Sequence, residues 1–565
     1  MLAVRPHASL VACVLVMLAA CTDFIGPESS ARLENGRDDA IGDAAITATG
    51  FAGMIRIGVI PAINGTTPTT SLAVGGPGAF TMITKATGEM LATGSNENLT
   101  VSLIPGGVPR TRLWWQVACT GSVATRDNWT ARVTAAGFEW YTEFVATVPC
   151  WRLRIGSLPT TATSAARSAF VASFIAAGLS FPPTNPGGPF TVTRSDGVAL
   201  LDVRRGSTSL KTTPNDVVLS SPDDIVRIGN RLYRGEAEVR IAAGGASIAG
   251  INELPLEQYL WGVVPRELGP IAFPELEALK AQAVAARTYA IANFTKRQAD
   301  GYNLLATTAD QVYGGFQDEH PLSSRAVNET EGLVATANGM QPIEALYFST
   351  SGGWSANNED VFNSNPVAYL RGIPDQERGN SLEHHPEGIR NHANARSLRA
   401  AREGDFESDW SRFHRWTFEW SAEEISDVIS VWANQAVGRV LAINVLERSS
   451  SGRVRTIEYV TEAGRFFDTK DRVRSSLRFL DANGAMVNLP STLVYIEPVH
   501  DKHTKELTGF VAWGGGFGHG VGMSQTGAVG MAERKATFEE ILKHYYRGIE
   551  LVKMCTNPAG CATLF

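Results

Sequence analysis

The chain reads as an α+β protein of several domains, and three observations predict that class. Period-two alternation over residues 54–63 and 71–81 marks strands, residues 274–296 carry the strongest helical periodicity, and residues 113–187 follow the order βαββα. With 565 residues, 44% hydrophobic and 19% charged, there is material for about three globular domains. A net charge of -7 supplies no basic footprint, which excludes nucleic acid as a partner.

Taken in order, the N-terminus comes first. Arg5 gives a short basic region, and residues 10–20 are uncharged and apolar. That run has the length of a signal-peptide core and falls well short of the ~20 residues that span a bilayer. It ends Leu18-Ala19-Ala20-Cys21, which resembles a bacterial lipobox. The resemblance implies cleavage before Cys21, a lipid on Cys21, and a lipoprotein of the cell envelope facing the periplasm or the extracellular side. The alternative is an ordinary secretory signal with an incidental cysteine. Residues 1–20 are therefore expected to be a lipoprotein signal peptide. Residues 21–51, small, polar and aperiodic, are expected to be a flexible tether and membrane link.

Setting Cys13 and Cys21 aside leaves Cys119, Cys150, Cys555 and Cys561 in an exported chain. The parsimonious pairing is Cys119–Cys150 and Cys555–Cys561. A four-cysteine metal site is disfavoured, because the pairs lie at opposite ends and neither has CxxC spacing. Residues 52–112 form a first β-rich part with a turn at Thr87-Gly88. A strand at residues 115–122, a helix at 126–136 and a strand at 139–147 follow. Trp151-Arg152-Leu153-Arg154-Ile155-Gly156-Ser157 then repeats the first strand, with a second helix at 164–178. This is the order of a ferredoxin-like βαββαβ module. The Pro182–Pro189 breaker run marks its end, and β pattern resumes at 190–193, 198–204, 225–228 and 237–241. Residues 113–187 thus read as an insertion, and 188–250 as the continuation of the interrupted β-rich part.

From residue 251 the main domain runs to 552, and 553–565 is a tail clamped by its disulfide. Leu256, Tyr259, Leu260 and Val263 recur at helical spacing, and Pro265 is expected to end that helix. Residues 274–296 follow as a helix with Leu276, Leu279, Ala283, Ala286, Ala290 and Phe294 on its buried stripe. The tryptophans of 410–432 are assigned to core, with Ser421 as an N-cap, and Thr537-Phe538-Glu539-Glu540 opens the last helix as a capping box.

Four segments now converge on one family. Leu232-Tyr233-Arg234-Gly235, residues 259–268 (Tyr-Leu-Trp-Gly-Val-Val-Pro-Arg-Glu-Leu), residues 283–290 and the Gly-rich run from Gly516 through His519 and Ser524-Gln525 to Ala528 together resemble the SpoIID/LytB family. Its members, stage II sporulation protein D and relatives, act on peptidoglycan glycan strands. The resemblance implies a SpoIID-like catalytic body and makes Glu267 the catalytic glutamate of a lytic transglycosylase. In that chemistry one carboxyl protonates the glycosidic oxygen and, as carboxylate, takes the proton of the muramyl 6-hydroxyl, leaving 1,6-anhydromuramyl ends. No second carboxylate is needed to activate water.

The residues themselves agree in part. Glu267 follows an apolar helix, and 268–273 carries no charge, which favours a raised carboxyl pKa, while adjacent Arg266 pushes the other way. His519 is the one titratable group among glycines 514, 515, 516, 518 and 520. It either orients Glu267 or the saccharide, or caps backbone within its own loop. Ser349-Thr350-Ser351 beside two glycines, with Ser524 and Gln525, are expected to hydrogen-bond sugar. Arg287 stands evenly between substrate binding and a buried scaffold role.

The repeated strand-Gly-Ser with an Ala-rich helix resembles a SPOR domain, implying a module that binds glycan stripped of peptides; the alternative is a plain spacer. No cofactor and no metal are expected. Phe348 stands where relatives often carry a histidine, and Glu383, His384, His385 and His392 match no zinc pattern and read as a solvated loop. The expected function is cleavage of denuded glycan strands. The alternative is a non-catalytic glycan-binding scaffold or activator of an N-acetylmuramoyl-L-alanine amidase, which would make a cell-wall amidase a second partner.

Overall fold

The computed structural model describes residues 53–64, 67–107, 110–120, 123–145, 150–179, 189–194, 198–339, 341–376, 406–407, 410–481 and 484–554. Cys21 with the signal and tether, Cys555, Cys561, and the Glu383–His392 stretch lie outside the described residues. Among the described residues no helix is long and apolar enough to cross a membrane. The described chain is mixed α and β and forms two compact units, Phe51–Arg266 with Asn293–Glu319, and Glu267–Ala292 with His320–Met554.

The first unit is built on an eleven-stranded sheet. Its strand Met54–Ile60 pairs antiparallel with Ile248–Pro255 and parallel with Leu304–Leu305. The alternation that predicted this strand is real, since Ile55 and Ile57 are fully buried. Strands Ser71–Thr84 and Met90–Ile104 form a long hairpin, and Gly88 at its turn takes φ +68°. Met90–Ile104 also pairs with Leu200–Arg205, which sets Leu200 opposite Ile104.

Between those two neighbouring residues the chain leaves to build a separate antiparallel sheet. Its strands lie in the order Glu139–Val145, Cys150–Pro159, Arg110–Thr120, Phe190–Arg194. Helices Val123–Ala135 and Ser164–Ala176 supply Val133 and Phe174 to a small core with Leu113, Trp115, Leu153 and Ile155. One expectation is corrected here. The strand at 190 was assigned to the resumed β-rich part, yet it pairs with Arg110–Thr120 and completes this smaller sheet. The Pro-rich run therefore lies inside the module, connecting its second helix to its last strand. Cys119 is disulfide-bonded; the side chain of Cys150 lies outside those described, so the Cys119–Cys150 pairing stays a proposal.

The second unit surrounds the helix Leu276–Ala292. A one-sided stripe was expected, but every residue from Ala278 to Ile291 except Lys280 is buried. Six alanines explain it: without bulk on any face, the helix admits close neighbours all round, as a central helix must. Helices Pro321–Glu329, Gln525–Glu533 and Phe538–Tyr545 and the strand Leu333–Ala337 pack on it. Farther along, the three-stranded sheet containing Trp416–Ser421 and the helix Ala422–Ala433 enclose a second core, to which Trp416 and Trp420 belong. Both predicted caps form, Ser421 with Glu424 and Thr537 with Glu540, each as a reciprocal capping box.

Candidate active site

The helix Leu256–Glu267 delivers the first functional residue. It runs two residues past Pro265, where a stop was expected. A proline in the last turn removes only one helical hydrogen bond, a cost that the burial of Leu256, Tyr259, Leu260, Val263 and Val264 outweighs. Arg266 lies 3.4 Å from Asp318, so its charge is answered there. Glu267 ends the helix, half-buried, and its carbonyl is one of the last four that lack an intrahelical donor. Gln525 supplies that donor from 258 positions away: its Nε2 lies 2.9 Å from the Glu267 carbonyl and 3.3 Å from Gln282 Oε1 on the central helix. Two of the four segments that carry the resemblance thus meet at a named atom.

The Gly-rich loop is held open by backbone geometry. Gly516, Gly518, Gly520 and Gly522 take φ of +82°, +104°, +86° and +81°, a region that other residues adopt at a cost. Space is equally restrictive at Gly520, where a Cβ would stand 2.5 Å from Arg453 Nε. The loop lies against residues 349–356. Thr350 and Phe517 exchange both backbone hydrogen bonds, at 3.0 and 2.8 Å, and Ala356 N–H donates to the Gly520 carbonyl at 2.7 Å. Beyond the loop, Met523–Ser524 pairs in parallel with Tyr347–Phe348, and Ser524 caps the helix Gln525–Glu533 by accepting the Gly527 N–H.

The hydroxyl row does not face outward as expected. Thr350, Ser351 and Ser524 are at most 1% exposed. Ser351 and Ser524 turn inward onto Glu407, a carboxylate with no exposed surface, while Thr350 meets the Thr526 hydroxyl. Glu407 Oε1 accepts the Ser351 hydroxyl at 3.0 Å and the Gly352 N–H at 2.7 Å; Oε2 accepts the Ser524 hydroxyl at 3.2 Å and the Thr526 hydroxyl at 2.8 Å. His414 Nδ1 is 3.4 Å away. Burial alone pushes the Glu407 pKa up, but His414, the Thr526 hydroxyl and the Gly352 N–H together hold it below the usual carboxylate range. Arg453, buried beneath the loop, donates to the carbonyls of Trp354 and Ser351, and burial brings its pKa down to about 10 against the charges of Asp471 and Glu407. Ser349, half-buried, and Gln525, 8% exposed, retain the most surface of these polar residues.

His519 sits between the Phe348 and Phe362 rings, at 5.6 and 5.4 Å, and its Nδ1 accepts the Val521 N–H at 3.1 Å. That is the loop-capping role of its two alternatives, and it leaves the ring proton on Nε2. Arg287 has no exposed surface and donates to the carbonyls of Leu333 and Val327 at 3.1 and 3.2 Å. Its substrate-contact reading is corrected on that ground, since a guanidinium enclosed in the core offers no surface to a saccharide. Among the described residues no group of His, Cys, Asp and Glu is placed to hold a metal.

Glu407, Arg453 and the buried pair of Tyr545 and Asp375 were not singled out from sequence. Burial first, then the Asp375 carboxylate, raises the Tyr545 pKa well above its ordinary value. Glu407 follows an aperiodic stretch and has no local signature. The available signal was indirect: two clusters of small hydroxyl residues among glycines need an acceptor when they are buried.

Residues 245–336 match the family model described as stage II sporulation protein, and residues 356–522 match a domain of unknown function, DUF8618. An uncharacterized protein of Brachyspira hyodysenteriae is 30% identical over 304 residues, 54% of this chain and 68% of the relative. Stage II sporulation protein D of Bacillus amyloliquefaciens is 27% identical over 336 residues, 56% of this chain and 79% of the relative. The amidase enhancer of Bacillus subtilis is 29% identical over 312 residues, 52% of this chain but 40% of the relative. Glu267 and Gln282 fall inside the first model and Glu407, Arg453 and His519 inside the second; with these relatives, the chain belongs to the SpoIID/LytB family.

Proposed function

We propose that the chain is a peptidoglycan lytic transglycosylase that cleaves denuded glycan strands. The observation that supports this most is the Gln525–Glu267 hydrogen bond, because it ties the end of the helix that carries Glu267 to the segment following the Gly-rich loop. Glu267 serves in turn as acid to the glycosidic oxygen and base to the muramyl 6-hydroxyl. Half-burial keeps its side chain reachable while limiting water. Ser349 and Gln525 contact the saccharide, His519 braces the loop, and Ser351, Thr350 and Ser524 hold the site from beneath. Mass spectrometry of products from denuded glycan tests the assignment: 1,6-anhydromuramyl ends are expected, and reducing ends alone would replace it with hydrolysis.

A second reading is favoured by one finding, the relative named amidase enhancer. On that reading the same surface holds glycan while a cell-wall amidase acts, and purified protein yields no cleavage. Both readings place the protein in the cell envelope. The lipid on Cys21 and the Cys555–Cys561 bridge belong to the proposal. So does the SPOR-type role of the inserted module, which its βαββαβ order and antiparallel four-stranded sheet support.

A further inference from the structure

The turn between the strands Val440–Arg448 and Val454–Thr461 puts two arginines to different uses. Arg453 reaches under the Gly-rich loop and is spent on the carbonyls of Trp354 and Ser351. Arg448 is held in the same turn, where the Ser449 N–H donates to the Arg453 carbonyl at 2.8 Å, but it lines a cavity of about 610 Å³. That volume lies within the ~300–1,000 Å³ usual for small-molecule sites. The cavity adjoins the loop: Asn357 lines it, and the preceding residue, Ala356, donates its N–H to the Gly520 carbonyl.

Four charged side chains line the cavity, and three of them answer one another. Arg455 serves both carboxylates, with Nη1 2.8 Å from Glu447 Oε1 and Nε 3.5 Å from Asp360 Oδ1. Arg448 is the charge left over. Its Nη1 donates to the Gly452 carbonyl at 2.8 Å, and among the described residues no carboxylate pairs with it. A guanidinium has five N–H donors in a planar fork, so four remain for a ligand. Burial lowers the Arg448 pKa to about 10, which leaves it charged at neutral pH. A half-buried cation without a counter-charge is costly, and an anion that presents two oxygens to the fork offsets that cost. Beside it, the exposed Ser450 accepts an N–H of Asn357 at 3.2 Å and keeps its own proton for a ligand.

Denuded glycan carries an anion of this kind. Each muramyl residue bears a lactyl group, whose carboxyl is an uncharged amide while a peptide is attached and a free carboxylate once the peptide is removed. We propose that the cavity is a carboxylate subsite of the glycan site, in which Arg448 and the Ser450 hydroxyl take the muramyl lactyl carboxylate and so select strands stripped of peptide. The proposal rests on glycan being the ligand and holds whether or not the glycan is cleaved.

The test crosses two probes with the full chain and its variants, reading Kd and the unfolding midpoint. The probes are denuded glycan and the same glycan with its lactyl carboxyls converted to primary amides, which removes the charge and little else. Wild type is expected to bind the carboxylate form about tenfold more tightly. Arg448→Gln should bind both forms alike, at the wild-type level for the amide. Arg448→Lys keeps the charge without the fork and should retain a preference of about threefold; it also carries the test if the glutamine variant does not fold. A wild type that binds both forms equally overturns the subsite while leaving glycan as the ligand, and an undiminished preference in Arg448→Gln overturns it by placing recognition elsewhere. A wild type that binds neither form removes the glycan reading and the subsite with it.

Discussion

Gln525 shows how much a single side chain can carry here. Its amide donates to the Glu267 carbonyl at the helix end, so its loss frees that end to shift while leaving the carboxyl group in place. Gln525→Ala is therefore expected to lower kcat about tenfold, near 1.4 kcal/mol, measured by anhydromuramyl product release, with a much smaller change in unfolding midpoint. Glu267 and Gln525, which the structure joins by a hydrogen bond, stand out in the sequence because each sits in a distinctive run. Glu407 was not, because what identifies it is the convergence of Ser351, Gly352, Ser524 and Thr526, four donors from two segments more than 170 positions apart. The same convergence explains why the serines, which look like sugar contacts as a string, turn inward: their partner is elsewhere in the chain.

At the scale of elements, helices with local signals were read well and strand partners were not. The N-cap at Ser421 and the capping box at Thr537 are local chemistry and form as expected. The pairing of Phe190–Arg194 is non-local, and nothing in its five residues says which sheet it joins. The helix Gln525–Glu533 illustrates a tertiary demand that overrides local preference. Alanine is the better helix former at position 527, yet a Cβ there would stand 2.1 Å from Tyr545 Oη and 2.4 Å from Asp375 Oδ2. Gly527→Ala should destabilise the protein by roughly 1–3 kcal/mol in denaturant unfolding; an increase in stability would show that propensity prevails and that the buried pair yields readily.

Among the described residues, a SpoIID-like body is interrupted by one module. Because Ile104 and Leu200 are sheet neighbours, joining residue 104 to 200 through a short turn leaves the large sheet closed. The chain lacking 105–199 is expected to fold and to bind denuded glycan more weakly in pull-down, if the module grips glycan; equal binding would make it a spacer. Replacing Cys21 by Ser is expected to shift the protein from membranes to the soluble fraction, and unchanged membrane association would reject the lipid anchor.

The central claim is that one carboxyl both gives and takes the proton. Glu267→Gln preserves size and hydrogen bonding but exchanges no proton, so the direct measurement is anhydromuramyl product formation from denuded glycan by wild type and by this variant, alongside glycan affinity. The account predicts a fall of roughly 10²–10⁴-fold in turnover with affinity retained. Wild-type rates in Glu267→Gln, or cleavage that yields only reducing ends, would contradict it.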